Sequence, residues 1–172
     1  MTQPAEQTGG ATNFPTVGRW MMTVLPQGWA VIFGFGIRQE SVGAQTILAN
    51  VGLGQDNLEA VEDFSAYLDS QVEMIQSTLN APKIAGPQPT AFPGSDEARL
   101  MLVRHTPPGI EPVIHVQTYV RIGTWVGIIT LTSSEDQLRT VRPYSDQFVQ
   151  GLHVLPSDPE LAPTPPPAAL QG

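Results

Sequence analysis

Three histidines are the residues of this sequence best suited to metal or acid–base chemistry, and two of them fall in adjacent predicted strands. His105 ends one strand and His115 lies near the start of the next, so we expect the two imidazoles to meet across the strand pair. Two imidazoles begin a metal site, but no carboxylate is placed to complete it. His153 follows the last predicted helix without a visible partner. We therefore predict no metal site and interpret these as ordinary strand histidines.

The nucleophile and cofactor motifs are incomplete. The serines at 133 and 134 follow a strand but lack the Gly-x-Ser-x-Gly setting of a hydrolase nucleophile. The glycine motifs at 34–36 and 52–54 are too short for a dinucleotide fingerprint. The acids at 135 and 136 are adjacent, so they point in different directions rather than into one cleft. Because there is no cysteine either, the sequence predicts a non-enzymatic protein with no catalytic residues and no cofactor.

Composition and charge exclude further classes. The chain has 172 residues and a net charge of −8, with only 8 Lys and Arg. Nucleic-acid binding needs clustered cations, so we do not expect it. The opening MTQPAEQTGG has no basic or apolar signal region, and no 18-residue apolar span follows. If the first residue is the native start, we expect a cytoplasmic protein without a membrane span.

The chain divides into one domain and two tails. Residues 1–13 are small and polar, and residues 156–172 are rich in proline, so both tails are expected to be extended and solvated. Residues 14–155 then form a single domain. A domain of this size buries enough surface to fold without a disulfide or a metal.

The amino-terminal half of the domain predicts strands followed by a long helix. Two β-like runs, 19–25 and 30–38, flank a corner at Pro26 and Gly28, over which Trp29 is expected to fold as an apolar lid. A ligand-stacking role for this tryptophan is the alternative. Residues 45–53 alternate as a strand. Residues 56–79 carry an apolar stripe at helical spacing, with a capping box at Asp56 and an acidic outer face.

The carboxyl-terminal half predicts an edge strand near 89–92, three strands and a closing helix. The three strands are 98–105, 113–122 and 124–132, with a tight hairpin at Gly123. The helix is expected from about Arg142, with Pro143 in its first turn. The connections are too short for parallel crossovers. The predicted fold class is therefore α+β, a mostly antiparallel sheet with both helices packed against it.

One strand face is not fully apolar. In 113–122 the even positions are apolar except Thr118 and are expected to face the helices, whereas the odd positions after Val113 carry hydrogen-bonding groups that face away. Such a mixture is common at protein-binding surfaces, and an ordinary solvent face is the alternative. The predicted partner-binding residues are His115, Gln117, Tyr119, Arg121, Arg99 and Met101.

Several segments resemble a known family. The corner LPQGW, the strand TILANVGL, the hairpin VIHVQTYVRIGTWVGIITLTSSEDQ and the closing helix YSDQFVQGLHVL occur in the order of the DcrB-related, PsbP-like α/β/α fold. The resemblance covers roughly residues 14–155. It implies that the corner formed by Pro26, Gly28 and Trp29 is architectural and holds the first hairpin on the sheet.

The resemblance also implies a bacterial protein-binding module. Cytoplasmic members include the Eag-type chaperones, which shield apolar helices of type VI secretion effectors, and other members are LpqN-type exported lipoproteins. This chain lacks the lipoprotein cysteine. The expected role is thus a chaperone or adaptor for a secretion effector or component, binding through the open sheet face, with homodimerisation possible. The alternatives are a structural or envelope-associated component of a secretion apparatus and, third, a small-ligand-binding protein.

Overall fold

The computed structural model describes residues 16–32, 36–39, 47–58 and 63–157. The elements, in chain order, are β1 (Thr16–Val17), β2 (Trp20–Met22), β3 (Trp29–Ile32), β4 (Gly36–Gln39), β5 (Asn50–Asn57), α1 (Phe64–Thr78), β6 (Lys83–Thr90), β7 (Glu97–His105), β8 (Val113–Ile122), β9 (Trp125–Ser134), α2 (Leu138–Gln150) and β10 (Leu152–Val154). Both predicted tails lie largely outside the described residues.

Two antiparallel sheets organise these strands. The larger has seven strands in the order β3-β4-β5-β9-β8-β7-β6, and the smaller has the order β1-β2-β10. Each neighbouring pair is antiparallel. The long central strands β7, β8 and β9 lie where their alternation predicts them, and the predicted α+β class is confirmed. The three-residue strand β10, which pairs with β2, was not predicted.

One face of the large sheet is covered by α2 and the small sheet. Trp20 is fully buried there, and its indole meets Trp125 and Phe92 edge to face. The indole nitrogen of Trp20 donates to the carbonyl oxygen of Gly54 at 2.9 Å, which satisfies the one polar atom of the buried ring. Phe148 of α2 is also fully buried in this core. The small sheet is therefore part of the main core.

The other face is partly covered by α1, which corrects the expectation that both helices lie on one side. The apolar stripe of α1 packs on Met101, Val103, Tyr119 and Val126 from β7, β8 and β9. Burying that stripe requires an apolar surface, and the α2 face is already occupied by α2 and the small sheet. The β8 strand is consequently enclosed on both sides at Tyr119, though not along its whole length.

Both helices begin at other residues than predicted. Asp56 belongs to β5, and the amino-terminal cap of α1 is Asp63, whose carboxylate accepts from the Ser65 amide at 3.1 Å. The intervening residues 59–62 lie outside the described ranges. Helix α2 starts at Leu138 and includes Pro143 in its interior rather than in its first turn. The buried side chain of Val141 accounts for the earlier start, since it anchors the first turn on the core.

The turn at Pro26 and Gly28 closes as a hydrogen-bonded corner. Gly28 has a φ of +78°, which is the left-handed region that favours glycine, and the Trp29 amide donates to the Pro26 carbonyl at 3.2 Å. Trp29 is 4% exposed and its ring lies 6.5 Å from that of Tyr144 in α2. Gly123, with a φ of +60°, forms the turn between β8 and β9. The corner joins β2 of the small sheet to β3 of the large sheet, so the two strands that flank it do not pair as the predicted hairpin. Trp29 at this corner packs beside Tyr144 of α2.

Candidate interaction surface beside helix α1

A strip of five polar residues and one glycine crosses three central strands on the α1 face and is half-buried throughout. Antiparallel register aligns it in two rows. One row joins Asn50 to Thr132 and His115, and the other joins Gly52 to Thr130 and Gln117. The term polar strip refers here to six residues: Asn50, Gly52, His115, Gln117, Thr130 and Thr132. Each has intermediate exposure, whereas α1 buries Met101, Val103, Tyr119 and Val126 on the same face.

Two paired glycines lie at the end of the polar strip that is formed by β4 and β5. Gly36 pairs with Gly52, so two facing positions carry no side chain. At Gly36 the φ is +140°, and a Cβ would lie 1.8 Å from the carbonyl oxygen of Val51. Glycine is therefore required at position 36 by the close approach of the neighbouring backbone.

Tyr119 and Met101 are buried beneath α1, which corrects their predicted place on an open surface. They are 1% and 0% exposed. Burial raises the pKa of Tyr119 to about 12, because the ionised phenolate would lose its hydration. The Tyr119 hydroxyl donates to Oε1 of Gln117 at 3.1 Å. The geometry therefore indicates that Tyr119 orients the side chain of Gln117. It does not place Tyr119 where a partner could contact it.

Arg99 and Arg121 lie near the sheet end that faces the start of α1, apart from the polar strip. Both guanidinium groups pair with the single carboxylate of Glu97, Arg121 at 3.5 Å. The Arg121 guanidinium also lies 6.0 Å from the centre of the Phe64 ring. Since both guanidinium groups are engaged within the protein and lie apart from the polar strip, we do not place the two arginines in the candidate surface.

His105 and His115 meet across β7 and β8, as the sequence predicts. Their Nε2 atoms lie 3.1 Å apart, and the rings are nearly parallel at 14°. Nδ1 of His115 lies 3.0 Å from the Thr132 hydroxyl. Burial, followed by the charge of His105, lowers the pKa of His115. The distance between the two Nε2 atoms is that of a hydrogen bond, in which one imidazole donates and the other accepts. Within the described ranges, no three potential ligand side chains gather to hold a metal.

The structure brings together two of the six predicted partner-binding residues, His115 and Gln117. The sequence interpretation missed their neighbours Thr130 and Thr132 on β9 and the contribution of β5. The signal for the β9 residues is the alternation of Thr130 and Thr132 with Ile129 and Leu131, which are buried on the opposite face. Their position next to β8 follows from the short hairpin at Gly123.

Comparison with known proteins gives the class of fold. No family model and no curated protein sequence matches this chain. A Pseudomonas aeruginosa protein of unknown function, PA94, described as a candidate regulator, is 20% identical with a TM-score of 0.60, over 81% of this chain and 100% of that one. LpqN of Mycobacterium tuberculosis, described as involved in cell envelope biogenesis, is 12% identical with a TM-score of 0.63, over 81% and 86%.

A third solved structure with a similar fold is a PsbP protein. The cyanobacterial PsbP protein of Synechocystis is 11% identical with a TM-score of 0.55, over 86% of this chain and 98% of that one. The protein therefore has a PsbP-like α+β fold. At these identities the likeness concerns the fold alone. Neither helix in the described ranges has the length and apolar character needed to cross a bilayer.

Proposed function

We propose that this protein is a non-enzymatic adaptor or chaperone that binds a partner polypeptide at the polar strip. The observation that supports the proposal is the row of Gly52, Thr130 and Gln117, which crosses three adjacent strands and stays half-exposed beside a helix that buries its neighbours. The row offers hydrogen-bonding groups on a rigid sheet, and rigid presentation lowers the entropic cost of binding.

The chemistry of the row suits a partner that brings polar backbone or side-chain atoms close to the sheet. Oε1 of Gln117 accepts a hydrogen bond from the Tyr119 hydroxyl, and the amide nitrogen of Gln117 is then the group that can donate to a partner. The Thr130 hydroxyl both donates and accepts. Ile128 lies half-buried beside them and supplies apolar contact. An amphipathic or apolar helix is the occupant that this mixture fits.

The proposed client is an apolar helical segment of a secretion effector or component, held before export in the cytoplasm. The family resemblance of the sequence supports this client, and the PsbP-like fold is consistent with it. A second candidate is an envelope-associated component of a secretion apparatus, favoured by the structural likeness to LpqN. Both candidates use the polar strip, and they differ in the cellular fraction from which the partner is recovered.

A photo-crosslinking experiment tests the surface. A benzophenone amino acid is placed at Thr130, in the polar strip, and separately at Thr140, an exposed position on α2. We expect one partner band from the source organism with the Thr130 probe, absent with the Thr140 probe and reduced at least fivefold by Gln117→Glu. Equal capture from both positions, or none from Thr130, would contradict the proposal. A band at twice the monomer mass identifies a second copy of this chain, which would also contradict a separate client.

A further inference from the structure

A second site lies on the opposite face of the sheet, in a cavity of about 200 Å³ between α2 and strands β6 to β9. Its wall is mainly apolar and is formed by Phe92, Leu100, Val116, Ile129, Leu131 and Val149. The sheet side of this wall is fixed by the ladder of β7, β8 and β9. The cavity is thus held by rigid elements and is separate from the polar strip.

One serine hydroxyl lines this cavity without a hydrogen-bond partner among the described residues. Ser145 of α2 is 5% exposed and lines the cavity, and its side chain makes no hydrogen bond to any described residue. A serine in a helix commonly bonds back to a carbonyl one turn earlier, as Ser70 does to Tyr67 in α1 at 2.7 Å. Ser145 makes no such bond. Its oxygen is not one of the fully buried side-chain atoms that lack a partner, so it stays accessible from the cavity and can bond to a ligand atom there.

The rim of the cavity carries one charge of each sign. Nε of Arg142 lies 3.9 Å from Oδ2 of Asp146, one helical turn away, and both side chains are more than half exposed. A lone carboxylate would be attracted by Arg142 and repelled by Asp146, and a lone ammonium would meet the reverse. The rim therefore suits a head group without net charge that both donates and accepts hydrogen bonds.

We propose that this cavity binds a small uncharged amphiphile, with an apolar body on the wall and a hydroxyl or amide head at Ser145. An apolar cavity of about 150 Å³ takes up benzene, so one of 200 Å³ has room for about eight non-hydrogen atoms. Hexanamide has that size. This ligand site goes beyond the proposed function, since it lies on another face and recognises another class of molecule.

Titration of the isotope-labelled protein with hexanamide, followed by NMR, tests the proposal directly. We expect saturable shifts of backbone amides at Leu100, Val116 and Val149, with a Kd of about 1 mM or tighter. Hexanoate and hexylammonium should each bind at least about threefold more weakly, because each ion meets one like charge at the rim. Absence of saturable shifts at these residues would overturn the proposal, as would equal binding of acetamide, which lacks the apolar body.

Matched variants separate a ligand site from a structural gap. Thr118→Phe places a ring in the cavity and should abolish binding, whereas Thr130→Phe, on the opposite face of the next strand, should leave the affinity unchanged. Ser145→Ala removes one hydroxyl and should weaken hexanamide about fivefold, the worth of one neutral hydrogen bond. If Thr118→Phe fails to fold, the Ser145 variant decides alone. Unchanged affinity in the Ser145 variant would refute the assignment of the head group.

Discussion

A substitution at Gly127 in β9 tests most directly how the large sheet packs against the small sheet. It is buried, and a Cβ there would lie 2.3 Å from Cζ2 of Trp20 and 2.4 Å from Cη2 of Trp125. Both indoles are nearly inaccessible to solvent, and their ring centres are 5.2 Å apart. Gly127→Ala therefore requires at least one buried indole to move.

The cost of this movement follows from what the rings hold in place. Overpacking a well-packed core costs about 1–3 kcal/mol, and displacing Trp20 also weakens its hydrogen bond to Gly54, worth about 1 kcal/mol. Replacing glycine by alanine in a strand stabilises the folded state by about 0.5–1 kcal/mol, because alanine loses less conformational entropy on folding. We expect a net destabilisation of about 2 kcal/mol, which corresponds to a decrease in Tm of about 4–8 °C.

Urea unfolding followed by tryptophan fluorescence measures this change. Gly54→Ala is the matched control, because the nearest atom to its Cβ is the Cβ of Ile128 at 3.5 Å, an ordinary contact. The control should lie within about 0.5 kcal/mol of the original protein. If Gly127→Ala unfolds at the same urea concentration as Gly54→Ala, the close packing of the two indoles over β9 is wrong.

Three further predictions concern the α1 face. Tyr119→Phe should cost about 1 kcal/mol in urea unfolding, because Gln117 loses a buried donor; no change would refute that bond. Asp63→Ala should cost about 1 kcal/mol by removing the α1 cap, seen as a lower Tm by circular dichroism. Because burial lowers the pKa of His115, the unfolded chain binds the proton more readily and stability should fall below about pH 6.5; His115→Asn should flatten this slope between pH 5 and 7.

Local patterns predicted the central strands β7, β8 and β9 but not which sheet face each helix covers. The alternation in β7, β8 and β9 and the turn at Gly123 establish the central hairpins from short-range chemistry. The side occupied by α1 is a long-range choice. Both parities of β8 carry large side chains, Val116 on one face and Tyr119 on the other, so periodicity alone does not tell a face covered by one helix from a face left open.

The polar strip was only partly predictable for the same reason. The sequence singles out Gln117 and His115 because they alternate with apolar residues within one strand. Asn50 and Gly52 join them through the pairing of β5 with β9, which brings together residues about 80 positions apart. The small sheet has the same origin, since β10 is only three residues long and is recognisable only by its pairing with β2. Residues that meet through such pairings carry no local signal.

The central strands give the two proposed sites a common support and opposite orientations. Gln117 and Thr118 are consecutive in β8, yet one lies in the polar strip and the other lines the cavity beside α2, because successive side chains of a strand point to opposite faces. The backbone between them is paired on both sides, with β7 and β9. A substitution on one face therefore affects the site on the opposite face only if it moves this paired strand. The two proposed functions, partner capture and amphiphile binding, are separable for this reason, and the failure of either proposal leaves the other standing.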